Sequence, residues 1–297
     1  MTYHRSTYMG SGDPARRRND YYPWWLGNLA DDATGEGAFM QGAAQGADAV
    51  RSLVTYARTL YEYQEFNHFG DYGDDRFIED YTTEIHGEPT GVIVTVTRNA
   101  AGDAQHIVVN HRPRSSVLLL TSLCAEKFAG TPMESIFVDG EPDRRVGVGA
   151  TYLDNTHGTT EYYPRWLDNL ADDVTLEGAA MNGTARGAET VRSIVLYART
   201  LYEHQVFSFT GPYGDNGFLE QYTTPIKGQP TGVVVRVTRN AAGEAQHVSV
   251  NQRRRSSVLL FSRLMGEKFA DTAIGEHFIA SEPETGLATT ARTASAV

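Results

Sequence analysis

Cysteine is nearly missing from this chain: Cys124 is the only one in 297 residues, so no disulfide can close within it. Basic charge is also short. Lysine and arginine total 26 against 37 aspartates and glutamates, for a formal net charge of −11. Phosphate backbones select basic surfaces, so no nucleic-acid partner is expected. The run Arg16, Arg17, Arg18 lies too close to Asp13 and Asp20 to change that. No stretch approaches the roughly 20 apolar residues that span a bilayer, and the N-terminus lacks a secretory apolar core; the expectation is a cytoplasmic protein without membrane contact. Zinc-like His/Cys spacing, a phosphate-cradling glycine loop and a nucleophile elbow are all missing. Gly10-Ser11-Gly12 lacks the strand and helix that a phosphate loop needs, so neither metal nor any other cofactor is expected.

What the chain has instead is a repeat. Gly91 to Leu120 reads GVIVTVTRNAAGDAQHIVVNHRPRSSVLLL, and Gly232 to Phe261 reads GVVVRVTRNAAGEAQHVSVNQRRRSSVLLF. An offset of 141 residues, set by Asn99 and Asn240, also aligns Tyr21 with Tyr162, Trp25 with Trp166 and Pro142 with Pro283 without a gap. Cys124 falls on Met265, which marks a helix core position rather than a nucleophile. The division that follows is a disordered tail over 1–20, a first domain over 21–142, a linker over 143–161, a second domain over 162–283 and a frayed tail over 284–297.

Within a copy, the periodicity changes along the chain. Tyr22 to Ala30, with Pro23 near its first turn, reads as a short helix burying Trp25, Leu26 and Leu29; Asp31-Asp32 ends it and opens a strand through Glu36. Val50, Leu53, Val54, Ala57, Leu60 and Tyr61 recur at three- and four-residue steps, which predicts one long amphipathic helix from Gly46 to Tyr61. Four strands in hairpins follow: Phe66–Tyr72, Phe77–Ile85, and two flanking Asn99-Ala100-Ala101-Gly102, where Gly102 supplies the positive φ of the turn. A last helix carries Val117, Leu118, Leu120, Leu123 and Phe128 on one face. Strands joined by hairpins are antiparallel, and one helix covers one face of them. The fold class is therefore α+β, a curved sheet wrapped around a helix with a pocket between.

The phrase LADDATGEG from Leu29 to Gly37, the helix after it and the two hairpins resemble the NTF2-like superfamily, in particular SnoaL-like polyketide cyclases and ketosteroid isomerases. The resemblance implies a cone-shaped domain with a small-molecule pocket, and a habit of pairing through sheets. Two copies in one chain then form an intramolecular pseudo-dimer, with further homo-oligomerisation left open. The family's catalytic positions do not carry over. The isomerase base falls on Gly37 and Gly178, the oxyanion-hole acid on Val94 and Val235, and the His and Asp of many SnoaL-like sequences on Ile107 and Val109, or Val248 and Val250.

Strand geometry nominates other residues. Counting outward from the turn pairs Val94 with Ile107 and Thr95 with His106, which puts Val92, Val94, Val96, Ile107, Val109 and His111 on the apolar face. His106, Asn110 and Arg112 take the other face, and so His106/Asn110 and His247/Asn251 read as inter-repeat or surface groups. On Phe77–Ile85, period two places Glu79 beside Phe77, Tyr81 and Ile85, and the second copy repeats this with Glu220 and Tyr222. A carboxylate on an apolar face has its pKa raised by burial and suits general acid/base work. The expected catalytic set is Glu79, His111 and Glu220. The expected substrate-binding set is Tyr81, Val94, Ile107, Val109, Tyr222, Val235, Val248, Val250 and Gln252, the last standing where the first copy has His111.

Two functions fit these residues. One is a cofactor-free enzyme acting on an apolar, polyketide-like molecule as cyclase, isomerase or epoxide hydrolase. The other is a non-catalytic pocket or scaffold protein built as a fused pair.

Overall fold

The computed structural model describes residues 13–138 and 158–278, in two sheets that each wrap a helix. The first half runs β1 (Arg17–Arg18), a 3-10 turn (Trp24–Gly27), β2 (Leu29–Gly37), β3 (Ala44–Gln45), α1 (Ala47–Thr59), β4 (Gln64–Tyr72), β5 (Arg76–Ile85), β6 (Glu88–Arg98), β7 (Ala104–Arg112) and α2 (Arg114–Lys127). The second half repeats it as β8 (Leu170–Gly178), β9 (Ala185–Arg186), α3 (Ala188–Leu201), β10 (Val206–Tyr213), β11 (Gly217–Ile226), β12 (Gln229–Arg239), β13 (Ala245–Arg253) and α4 (Arg255–Phe269). Strand order is β1-β4-β5-β6-β7-β2-β3 in one sheet and β10-β11-β12-β13-β8-β9 in the other. Each half is an α+β domain, a curved sheet wrapped around one long helix.

Local chemistry explains the helix. Gly46, at φ +84, reverses the chain and its N–H bonds the Ala33 carbonyl, while Asp48 and Arg58 lie at the ends the helix dipole favours. Val50, Leu53 and Ala57 are buried against the concave face that Val92, Val94, Val96 and Ile107 present. The hairpin turn closes as its residues require: Gly102 stands at φ +90, and the Asn99 side chain accepts from the N–H groups of Ala101 and Asp103.

Four expectations need correction. The short helix is only a 3-10 turn, and β2 already begins at Leu29, because β7 pairs with it in parallel from Leu29 to Gly37. Val94 faces Val109 rather than Ile107, and Thr97 faces His106; the turn is one residue longer and a bulge beside Arg98 adds another. Leu118 is exposed, and the buried stripe of α2 is Val117, Leu120, Cys124 and Phe128. Part of the expected tail is ordered, since Arg17 and Arg18 pair with Glu65 and Gln64. Thr159, near the end of the expected linker, bridges Gln205; residues 143–157 of the linker, residues 1–12 and the tail over 284–297 lie outside the described residues.

The convex faces of the two sheets meet. Tyr72, Ile78 and Ile93 cluster with their counterparts Tyr213, Leu219 and Val234. Beside that cluster Arg112 donates to Glu177 at 2.6 Å and Arg253 to Glu36 at 2.8 Å, all four side chains buried. Glycine makes room: a Cβ on Gly91 would stand 2.5 Å from the Arg112 guanidinium, and one on Gly232 would stand 2.4 Å from that of Arg253. Leaving one buried charge unpaired costs on the order of 3–5 kcal/mol, whereas replacing both partners costs far less. Arg112→Met should therefore lower stability in urea by about that amount, and Arg112→Met with Glu177→Met should recover most of it. An unchanged midpoint for the single variant would contradict this role.

Candidate functional site

Between each helix and its concave sheet face lies a cavity, about 30 Å3 in the first half and about 50 Å3 in the second. The walls are mostly apolar. In the first they include Leu53, Val94, Ile107 and Val109; in the second, Ile194, Val235, Val250 and Phe261. A handful of heavy atoms fits such a space, and a polycyclic molecule does not unless side chains move.

Strand β5 runs along the cavity floor and delivers Glu79, which is 1 % exposed. Its Oε1 accepts two hydrogen bonds, from the Tyr21 hydroxyl at 2.7 Å and from Trp25 Nε1 at 2.8 Å. The second half repeats the arrangement: Glu220 Oε1 accepts from the Tyr162 hydroxyl at 2.5 Å and Trp166 Nε1 at 3.0 Å. With both donors on Oε1, a carboxyl proton belongs on Oε2. Burial pushes the Glu79 carboxyl up from its usual range, against the two hydrogen bonds and the positive charge of Arg58. Burial raises Glu220 likewise, against Tyr162 and Trp166. The tyrosine donors themselves hold their protons: burial and the adjacent glutamate raise the pKa of Tyr21 and of Tyr162.

Tyr81, Val94, Ile107 and Val109 line the first cavity, and Tyr222, Val235, Val250 and Gln252 the second. Val248 is in the packed core and outside the lining. His111 is also outside it: fully buried, its Nε2 lies 2.7 Å from the hydroxyl of Tyr61, and it is Tyr61 that reaches the cavity. His111 is thus placed to orient Tyr61 rather than to meet a ligand. His106 faces the other way, its Nδ1 2.7 Å from the Thr34 hydroxyl and its Nε2 3.2 Å from Glu36. Asn110 and Asn251 are buried on that same convex side.

Sequence reasoning missed Tyr21, Trp25 and Arg58 with their counterparts Tyr162, Trp166 and Arg199. Their survival in both copies was the available signal; the fold alone brings Tyr21 and Trp25 onto a glutamate 58 and 54 residues away. The family's base position is closed for a physical reason. A Cβ on Gly37 would stand 2.3 Å from the Val109 carbonyl oxygen, and one on Gly178 equally close to that of Val250.

Among the described residues no cluster of His, Cys, Asp and Glu could hold a metal ion, and no helix is long and apolar enough to cross a membrane. No family model matches the chain, and no curated protein does. Solved structures are similar to it one repeat at a time. An uncharacterized bacterial protein with a cystatin-like fold from Silicibacter pomeroyi is 15% identical, covering 36% of this chain and 74% of its own, with a TM-score of 0.34. A steroid delta-isomerase from Pseudomonas aeruginosa is 16% identical over 35% of this chain and 77% of its own, at 0.33. An NTF2-like protein of unknown function from Cytophaga hutchinsonii is 16% identical over 31% and 75%, at 0.25.

The buried imidazole makes a measurable difference between the halves. Burial and the Arg112 charge lower the His111 pKa from 6.5 to about 3. Between those values the unfolded chain binds a proton that the native chain does not, so this contribution to stability is complete above pH 6.5 and is lost as pH falls toward 3. His111→Gln, which installs the second copy's own residue, should make the acid loss shallower across that window, read as the urea midpoint against pH. An identical slope in wild type and variant would rule the assignment out.

Proposed function

We propose that the protein is a cofactor-independent acid/base enzyme acting on a small, largely apolar substrate, with Glu79 and Glu220 moving the proton. One observation carries this reading: a carboxyl group buried on an apolar cavity wall, with the same tyrosine and tryptophan donors, in both halves. Burial raises the pKa of such a group, the direction that favours its taking up a proton before giving it away. Tyr61, Tyr81, Tyr202 and Tyr222 keep their hydroxyl protons and can donate to an oxygen on which charge develops. Proton transfer within one substrate, an isomerisation or a cyclisation, matches these groups, and no step needs an external reductant. Cavity size favours a substrate smaller than a polyketide.

A binding role is the second reading. It is favoured by the closed base positions at Gly37 and Gly178 and by the snug cavities. In that case the fused repeats act as a fixed two-fold scaffold and the glutamates orient a ligand.

Native mass spectrometry separates the two. Wild type, Glu79→Gln, Glu220→Gln and the double variant are incubated with a small-molecule extract of the source cells. The enzyme reading expects conversion by wild type, reduced about 10²- to 10⁴-fold in the double variant, with a pH profile turning above the ordinary glutamate value of about 4.3. A molecule retained unchanged by all four proteins establishes the binding role and removes the catalytic one.

A further inference from the structure

Several of the described arginines meet a carboxylate. Arg51 meets Asp48, Arg76 meets Asp75, Arg98 meets Asp71, and Arg236 meets Asp80. Arg58 is different. It stands in the last turn of α1 and lines the first cavity together with Glu79, yet among the described residues its guanidinium makes no ion pair and no hydrogen bond. Its Nε is buried without a partner, and its one recorded contact is the ring of Tyr22, 5.2 Å from the guanidinium carbon. The second half keeps part of this arrangement. Arg199 lines the second cavity, its Nε is likewise buried without a partner, its Nη2 donates to the Tyr162 carbonyl, and its guanidinium lies 5.2 Å from the ring of Tyr163.

A guanidinium offers five N–H donors in a planar fork that matches a carboxylate with two parallel bonds, and a buried donor left unused costs stability. Drift after duplication had the opportunity to replace either arginine and replaced neither. We infer that each cavity is built for a small monocarboxylic acid. The ligand's carboxylate lies in the fork of Arg58 or Arg199, and its short carbon chain lies along Val94, Ile107 and Val109, or Val235 and Val250. This rests on the cavities being the ligand sites, as the proposed function has it, and it names the substrate class. The ligand's carbon next to the carboxylate then faces the Glu79 carboxyl, whose pKa already responds to the Arg58 charge. The exposed rings of Tyr22 and Tyr163 lie 5.2 Å from the two guanidinium carbons.

The test uses the full chain and a matched pair of probes, butyrate and butan-1-ol, titrated calorimetrically into wild type, Arg58→Gln, Arg199→Gln, the double variant and Arg58→Lys. Wild type should bind butyrate at least tenfold more tightly than butanol. Each single variant should lose one of two butyrate sites, the double variant both, and Arg58→Lys should weaken its site without abolishing it, since lysine keeps the charge and loses the fork. Thermal unfolding of each variant checks that it is folded, and Arg58→Lys answers if Arg58→Gln is not. Absent butyrate binding by wild type, equal affinity for butanol, or butyrate affinity unchanged in the double variant would overturn the inference. Its failure is distinguishable from that of the acid/base reading. Glu79→Gln with Glu220→Gln should still bind butyrate if only the catalytic reading is wrong, and conversion of a neutral molecule unaffected by Arg58→Gln would remove the carboxylate site alone.

Discussion

Two reciprocal ion pairs between the sheets, Arg112 with Glu177 and Arg253 with Glu36, constrain the rest of the molecule. Buried charges lose their hydration, and the Coulomb attraction offsets that only when the geometry is held closely. Here it is held from both sides. Each arginine ends the strand that follows the hairpin turn, lies in a groove that glycine leaves open on the neighbouring strand, and reaches a glutamate on the other repeat's parallel strand. His106 adds a second contact to Glu36. The convex faces are therefore interior surfaces, and β5 and β6 are buried on both sides. That double burial backs the cavity floor beneath Glu79.

Much of this was legible from residue order. The repeat, the long helix and the hairpins follow from periods of 3.6 and 2, and the assignment of Glu79, Tyr81, Val94 and Val109 to one face needs only the pleat. The exact register was not legible. A turn one residue longer and a bulge of one more shift β7 by two positions, and because two is the pleat period, every side chain keeps its face while its partner changes. The parallel pairing of β2 with β7 was hidden because no local turn enforces it. Leu118 misled because hydrophobicity was read without knowing which helix face the sheet would cover.

The ion pairs and the site's donors were illegible for a different reason. Arg112 and Glu177 are 65 residues apart, Arg253 and Glu36 are 217 apart, and nothing local links them. Trp25 reads as a core aromatic and Tyr21 only as a marker of the repeat, and the fold alone turns their polar edges onto a glutamate. An arginine in the last turn of a helix usually reads as a surface residue complementing the dipole; Arg58 stands out by its buried, unpartnered Nε, which only the fold reveals.

Fusion permits a divergence that a homodimer could not show, and its distribution separates scaffold from site. At the sheet interface, Asp80 pairs with Arg236 at 3.0 Å on one side. On the pseudo-symmetric side the counterparts are Gln221 and Thr95, and Tyr72 donates to Gln221 at 2.7 Å. Both charges have gone together, as burial demands, since either alone would be an unpaired ion in the interior. His68 has likewise become Phe209, packed on Tyr72. The cavities have not diverged in this way: each keeps its glutamate, both donors to Oε1, its paired tyrosines and its arginine. Packing and pairing can be met by several residue sets, so the interface was free to change by compensated steps. A glutamate held by a tyrosine and a tryptophan, with an arginine without a carboxylate partner on the same cavity wall, survives in both halves, and that shared set is the ground for proposing a ligand there.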